Sequence, residues 1–180
     1  MVISGMRQIK IGFLTISDRA SRGEYADLSG KAMCKWVQTA VLSEYTSIVK
    51  IIPDEQALIE KTLLDMVKSN YNLILTSGGT GPTLRDVTPE ATTNVCDKIY
   101  YGFAEEMRRY SLKSVPTAIL SRQIAGSKDN SLIINLPGKP EAIAVCLSAV
   151  FLAVPKCLEL LDDSKLGIDR EFIKSEQLKC

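Results

Sequence analysis

The stretch NLILTSGGTGPTLRDVTPEAT, residues 72–92, decides the fold. Its opening, NLILT, is a short apolar run of the length of a buried strand. SGGTG at residues 77–81 follows at once, with three glycines in five residues. Glycine accepts positive φ and close backbone approach, so several N–H groups can converge there on an anion. Thr88-Pro89-Glu90 then opens a helix. Threonine is a good N-cap, proline suits the first turn, and the acid favours the positive end of the helix dipole. The loop is neither a Walker loop, since no Gly-Lys-Ser/Thr follows, nor the dinucleotide fingerprint. On composition alone it could be a tight turn closing a strand. The continuation Pro82-Thr83-Leu84-Arg85-Asp86 shifts the balance by adding a cation and a carboxylate.

The same alternation extends in both directions. Residues 9–16 (IKIGFLTI) form an apolar run ending at Ser17-Asp18, and a polar loop follows over 19–27. Residues 29–42 have helical spacing, with Met33, Trp36, Val37, Ala40 and Val41 on one face. Residues 47–52 predict a second strand, closed by Pro53-Asp54, and 55–68 a helix aligning Leu58, Ile59, Thr62, Leu63 and Met66. Beyond the central stretch, Gly102 interrupts a helical region that resumes over 103–112. Residues 118–121 and 131–135 read as later strands joined through Gly126, and 141–161 as an apolar helix broken at Pro155. These elements predict a single-domain α/β fold over residues 1–162: three layers, with a mostly parallel sheet and helices on both faces. Residues 163–180 read as a charged C-terminal tail, frayed or extended. There is no internal repeat and no linker to a second domain.

Composition narrows the chemistry. The 180 residues are 46% hydrophobic and 24% charged, enough for a real core. The net charge of +1, from 22 basic and 21 acidic residues, shows no bulk basic field for nucleic acid. Histidine is absent, which excludes Ser-His-Asp and Cys-His nucleophiles, a histidine base and histidine metal ligands. Five cysteines, an odd number with no CxxC pair, argue against zinc and a disulfide framework and for incidental thiols in a reducing compartment. Residues 1–10 lack a signal-peptide core, and the apolar stretch 142–154 is shorter than the ~20 residues of a membrane span. The expectation is a soluble cytoplasmic protein that binds neither membrane nor nucleic acid.

In open α/β sheets ligands bind outside the carboxyl ends of the strands. Asp18, Asp54, the 77–81 loop and Asn135-Leu136-Pro137-Gly138 each follow a predicted strand, so the polar and glycine-rich features gather at one edge. Asp54 and Asp86 are candidates to hold Mg²⁺ beside a nucleotide, because Mg²⁺ takes few protein carboxylates and leaves other positions to phosphate and water. Locally, Asp54 could equally be a helix N-cap, and Asp86 a turn residue or ion-pair partner. NLPGKP (135–140) is either strand-to-helix punctuation or a second backbone wall. Ser21, Arg22, Asp27, Ser29 and Gly30 form a polar loop before a helix N-terminus, where anions are favoured. Lys10, Lys50 and Lys68 read as solvated charges, and Trp36 and Tyr45 as core or interface.

Taken together, ISDRA (16–20), IPDE (52–55), SGGTGPTLRDVTPEAT (77–92), LSR (120–122) and NLPGKP (135–140) resemble the molybdopterin adenylyltransferases of molybdenum-cofactor biosynthesis. This is the MogA/MoaB family, to which the gephyrin G domain is related, and the resemblance covers residues 9–161. It implies Mg²⁺-dependent transfer of AMP from ATP to the terminal phosphate of molybdopterin, releasing pyrophosphate. That nucleophile is already largely dianionic near neutral pH, so the missing histidine is no obstacle. Carried over by position, Asp54 and Asp86 match the two aspartates for metal and nucleotide placement. Gly78, Gly79, Thr80 and Gly81 match the loop around the phosphates. Ser121, Pro137 and Gly138 fall on the molybdopterin side, and Asp18, Asp27, Ser29 and Gly30 frame the pocket. Arg85 and Arg122 are charge-neutralising candidates, or ion-pair partners. The family also implies a homotrimer and a downstream molybdate-inserting enzyme. Some bacterial members carry an insertion after the NLPG helix; here residues 141–155 run straight through, as in the gephyrin-like arrangement. Two other readings stay open: a pterin-binding module or scaffold without catalysis, and a paralogue with another nucleotide-linked substrate. The joint presence of Asp54, Asp86 and the intact loop favours the enzyme.

Overall fold

A computed structural model describes residues 8–179. Met1 to Arg7, expected to lack a leader, and Cys180 lie outside the described residues. The strands are β1 (Ile9–Ile16), β2 (Tyr45–Ile52), β3 (Leu73–Ser77), β4 (Lys98–Ile99), β5 (Ala125–Lys128) and β6 (Ser131–Leu136). The helices are α1 (Asp18–Ser21), α2 (Leu28–Ala40), α3 (Gln56–Lys68), α4 (Thr88–Val95), α5 (Tyr101–Ser111), α6 (Pro140–Val150), α7 (Val154–Asp162) and α8 (Arg170–Leu178). The sheet order is β2-β1-β3-β6-β5-β4. β2, β1, β3 and β6 run parallel, β5 is antiparallel to β6, and β4 is antiparallel to β5. The chain leaves β1 to one side for β2 and then returns to β3 on the other. The gap between the ends of β1 and β3 is therefore a topological switch point, where such sheets open a crevice.

Alternation along the strands divides the core. Ile9, Ile11 and Phe13 of β1, with Leu73, Leu75, Leu132 and Ile134, pack against Met33, Trp36 and Val37 of α2 and Ile143 and Leu147 of α6. Leu14 and Ile16, with Ile74 and Ile133, face the other way onto Ile59, Leu63 and Met66 of α3 and Ala91 and Val95 of α4. Period-2 strands buried on both sides read as unbroken apolar runs, which is why IKIGFLTI shows no polar alternation.

Five expectations need correction. Residues 118–121 are not a strand: Pro116–Leu120 is a 3-10 turn whose residues are mostly exposed. The place beside β6 is taken instead by β5, with Gly126 inside the strand rather than joining two. The 141–161 helix breaks at the 3-10 turn Phe151–Ala153, and Pro155 sits in the first turn of α7, where a missing N–H costs nothing. Gly102 likewise lies within the first turn of α5. The tail is not frayed. Asp169 caps α8 by accepting from the Phe172 amide at 2.9 Å, Ile173 is fully buried, and Phe172 stands 5.7 Å from the Trp36 ring.

The run Pro140–Asp162, 23 residues whose most apolar 18 have a mean hydropathy of 2.0, is long and apolar enough to cross a membrane. That corrects the shorter span inferred from sequence. Its residues Ile143, Cys146, Leu147, Val150, Phe151, Val154 and Leu158 are buried in the core, which accounts for its composition.

Candidate active site

Two depressions lie side by side at the carboxyl edge of the sheet, sharing the glycine loop and the Pro137-Gly138 turn as walls. The first is a polar cleft of about 580 Å³. Asp18, Ser29, Asp54, Gly78, Gly79, Arg85, Asp86 and Gly138 line it, as sequence placed them together. The second is a mostly apolar pocket of about 460 Å³, lined by Thr80, Gly81, Ser121 and Pro137 and by Val115, Ala118, Leu120 and Val145.

The glycine loop is shaped by two close approaches. Gly78 has φ 101°, and a Cβ there would fall 2.1 Å from the Ile16 carbonyl oxygen at the end of β1. Gly79 has φ 62°, and its Cβ would meet Thr88 Oγ1 at 2.3 Å and Asp54 Oδ1 at 3.0 Å. Only glycine fits both positions. Thr88 is not the expected N-cap of α4. Its hydroxyl donates to the Gly78 carbonyl at 2.9 Å, and Val87 takes the cap position without a side-chain bond. The loop's carbonyls are thus drawn inward.

Asp54 is not a helix cap either; Glu55 occupies that position before α3. The Asp18 amide donates to Asp54 Oδ2 at 2.8 Å, and the Asp54 amide donates to Asp18 Oδ1 at 3.1 Å. Arg85 closes on Asp18 with a bidentate pair, Nε to Oδ2 at 3.0 Å and Nη2 to Oδ1 at 2.7 Å. This guanidinium holds the Asp18 carboxyl below its ordinary range. Burial pushes Asp54 upward instead, opposed by the Asp18 amide. Asp86 accepts from the Thr83 amide at 2.9 Å and the Thr83 hydroxyl at 2.6 Å, both through Oδ2. Among the described residues, Oδ1 of Asp54 and Oδ1 of Asp86 take no hydrogen bond. Each aspartate is therefore aimed by one oxygen and open at the other.

Three expected site residues line neither depression. Asp27 caps α2, accepting from Gly30 N at 2.8 Å, and takes the Thr15 hydroxyl at 2.8 Å. Gly30 lies buried beneath it. Arg122, expected as a neutralising charge or an ion-pair partner, is an ion-pair partner with Glu90. Its amide reaches the Thr80 carbonyl at 2.8 Å, its Nε reaches the Gly81 carbonyl at 2.8 Å, and its Nη2 reaches the Asp86 carbonyl. Arg122 thus clamps the loop. Ser77 and Ser29 fix the opposite wall, donating to the carbonyls of Pro137 at 3.0 Å and Gly138 at 2.6 Å.

Sequence reasoning missed Thr15, Arg19, Tyr25 and Thr83 in the polar cleft and Arg108, Gln123 and Lys139 in the apolar pocket. Thr83 had a signal, the T-x-x-D spacing of a side-chain-closed turn; the others had none. Gln123 is 1% exposed and accepts the Ser121 hydroxyl at 2.7 Å. Burial pushes the Cys96 thiol up to about 12 and raises Cys34 and Cys157 as well, so none of these three is poised as a nucleophile.

Among the described residues no group of three or more His, Cys, Asp or Glu side chains converges as a metal cage. Two open carboxylate oxygens facing a glycine loop fit a cation that completes its shell with phosphate and water.

A family profile described as "Probable molybdopterin binding domain" matches residues 12–156. The chain belongs to this molybdopterin-binding family. A molybdopterin adenylyltransferase of Helicobacter pylori (strain ATCC 700392 / 26695) is 50% identical over 171 residues, 94% of this chain and 97% of that one. Gephyrin of Dictyostelium discoideum is 37% identical over 182 residues, 93% of this chain and 25% of gephyrin. The solved molybdopterin biosynthesis enzyme MoaB of Thermus thermophilus superposes with a TM-score of 0.78 at 39% identity, covering 86% of this chain and 96% of that one. In this member of the molybdopterin-binding family, the matched residues span both depressions and the loop between them.

Proposed function

We propose that this protein is a molybdopterin adenylyltransferase that transfers AMP from ATP to the terminal phosphate of molybdopterin. The observation that carries the reading is the shared wall. A polar cleft holding two half-open aspartates is lined by Gly78 and Gly79 and an apolar pocket by Thr80 and Gly81 of the same loop, which would bring ligands bound in them next to each other. The H. pylori relative's name supports the activity. The polar cleft suits a triphosphate and the apolar pocket a pterin. Lys139 and Arg108 line the latter and supply positive charge toward a terminal phosphate.

An oxygen of that phosphate attacks the α-phosphorus of ATP, the bond from that phosphorus to the bridging oxygen breaks, and pyrophosphate leaves. No proton need be removed from a dianionic nucleophile, so positioning and charge neutralisation carry the catalysis. Asp54 and Asp86 would hold Mg²⁺, which when bound neutralises charge on the triphosphate. The amides of Gly79 to Gly81 would meet the phosphates, since the Gly78 amide is given to the Leu136 carbonyl at 3.2 Å, and Arg122 and Thr88 keep that backbone in place. The proposal includes a cytoplasmic homotrimer that passes its product to a molybdate-inserting enzyme.

The test is adenylyl transfer itself: protein, molybdopterin, ATP and Mg²⁺, scored for adenylylated molybdopterin and pyrophosphate, with an EDTA control. Metal-dependent product is expected. Tight molybdopterin binding without product would make the protein a carrier or scaffold, and neither binding nor product would refute the substrate.

A further inference from the structure

We propose that Tyr25, held by Arg19 and Ser17, is the nucleobase platform of the polar cleft. Tyr25 is the one aromatic ring among the cleft's lining residues. It stands 43% exposed on a loop otherwise built of small and charged residues, where no core claims it. Two contacts fix its plane: the Arg19 guanidinium lies over the ring with its carbon 5.1 Å from the centroid, and Ser17 Oγ meets the phenol oxygen at 3.2 Å. Ser17 caps α1 directly after β1, so the ring is tied to the end of a central strand.

The charges of the cleft sort in the same way. Arg85 is spent on Asp18 and Arg22 on Glu24. Arg19 makes no salt bridge among the described residues, and its planar guanidinium lies over the phenol ring. An arginine–tyrosine stack of this kind offers π surface and positive charge to a planar heterocycle. The glycine loop and the two aspartates supply the phosphate end of the cleft, and Tyr25 supplies its one aromatic surface among the described residues. Base–aromatic stacking tolerates any base, so this wall provides affinity for the nucleoside rather than a choice among bases.

The inference rests on the nucleotide reading of the cleft, and the experiment separates the two. Isothermal titration with α,β-methylene-ATP, inorganic triphosphate and 6-hydroxymethylpterin, each with Mg²⁺, is run on wild type, Tyr25→Ala and Tyr25→Phe. Tyr25→Ala is expected to weaken the nucleotide about tenfold, while triphosphate affinity stays unchanged and reports an intact fold. Tyr25→Phe is expected to restore most of the nucleotide affinity, because the ring rather than the hydroxyl does the stacking. Wild type that binds no nucleotide would refute the nucleotide reading. Nucleotide binding equal in wild type and Tyr25→Ala would refute the platform alone. A loss confined to the pterin would also overturn it, by placing the other substrate against Tyr25. Equal losses of nucleotide and triphosphate would assign Tyr25 to the shape of the loop and not to the base.

Discussion

Asp18 and Asp54, 36 residues apart in sequence, each accept the other's backbone amide, at 3.1 Å and 2.8 Å. The exchange locks the end of β1 to the end of β2, beside the switch point that opens between β1 and β3. It also divides two neighbouring carboxylates into different roles. Asp18 is neutralised by Arg85, while Asp54 keeps one oxygen open toward the glycine loop. Two like charges can coexist at this edge because one of them already has a partner.

That division predicts the outcome of isosteric substitution. Asn at 54 still accepts the Asp18 amide, so Asp54→Asn should leave the unfolding free energy within about 1 kcal/mol. Asp54→Asn and Asp86→Asn should each lower adenylation by about two orders of magnitude, as for loss of one charge-stabilising group. Initial rates of pyrophosphate release, with urea unfolding in parallel, measure both. Full activity in either variant would remove that residue from the assigned role.

The acid limb of the pH profile should belong to Asp54. Its folded-state pKa is raised by burial, so it takes up a proton at a higher pH than an ordinary aspartate. Cation affinity should therefore fall as pH drops through that raised value. Asp18, lowered by Arg85, stays ionised to more acidic pH; its stabilising contribution is present above its ordinary value and is lost only as pH falls through the lowered one. Mg²⁺-dependent nucleotide binding should decline before unfolding begins. Titration by calorimetry and by circular dichroism over the same range separates the two events.

Loop shape can be tested at Gly79. Gly79→Ala puts a Cβ at positive φ and 2.3 Å from Thr88 Oγ1. The hydroxyl would have to leave the Gly78 carbonyl, so stability should fall by about 2 kcal/mol and the loop amides should lose their aim. A thermal midpoint unchanged from wild type would show that the loop yields without strain.

The C-terminal helix should be part of the cooperative core. Ile173 is fully buried against the α2–α6 layer, so Ile173→Ala should cost about 3 kcal/mol. Trp36, 4.9 Å from the Phe151 ring and 5.7 Å from Phe172, reports on the same layer. Its fluorescence should follow global unfolding in a single transition; an earlier separate step would mean that α8 detaches on its own.

Much of this was legible in the residues themselves. IKIGFLTI and NLILT form strands because their side chains suit burial on both faces of a sheet. Residues 29–42 and 55–68 form helices, over slightly shorter spans, because their apolar positions recur at helical spacing. Once the strands are known, the carboxyl-edge rule gathers Asp18, Asp54, the glycine loop and Pro137-Gly138 without further information. The errors fell where local pattern competes with partners far away in sequence. AILS at 118–121 is apolar enough for a strand, but β5 pairs with β6 and leaves it outside. Thr88 has the chemistry of a cap, but an inward carbonyl of Gly78 claims its hydroxyl. The tail has few apolar residues, yet Phe172 and Ile173 meet a layer built by α2 and α6.

The sequence by itself determined the central strands β1, β2, β3 and β6, the helices α2 and α3, their order and the chemical types collected at one edge, because periodicity and glycine conformation are local properties. Only the tertiary structure decided which oxygen of each aspartate is engaged. It also decided that Arg122 holds the loop rather than facing a ligand, and that Tyr25 joins the cleft. Those outcomes depend on distances between segments tens of residues apart, and such distances are fixed only when the two layers pack against the sheet.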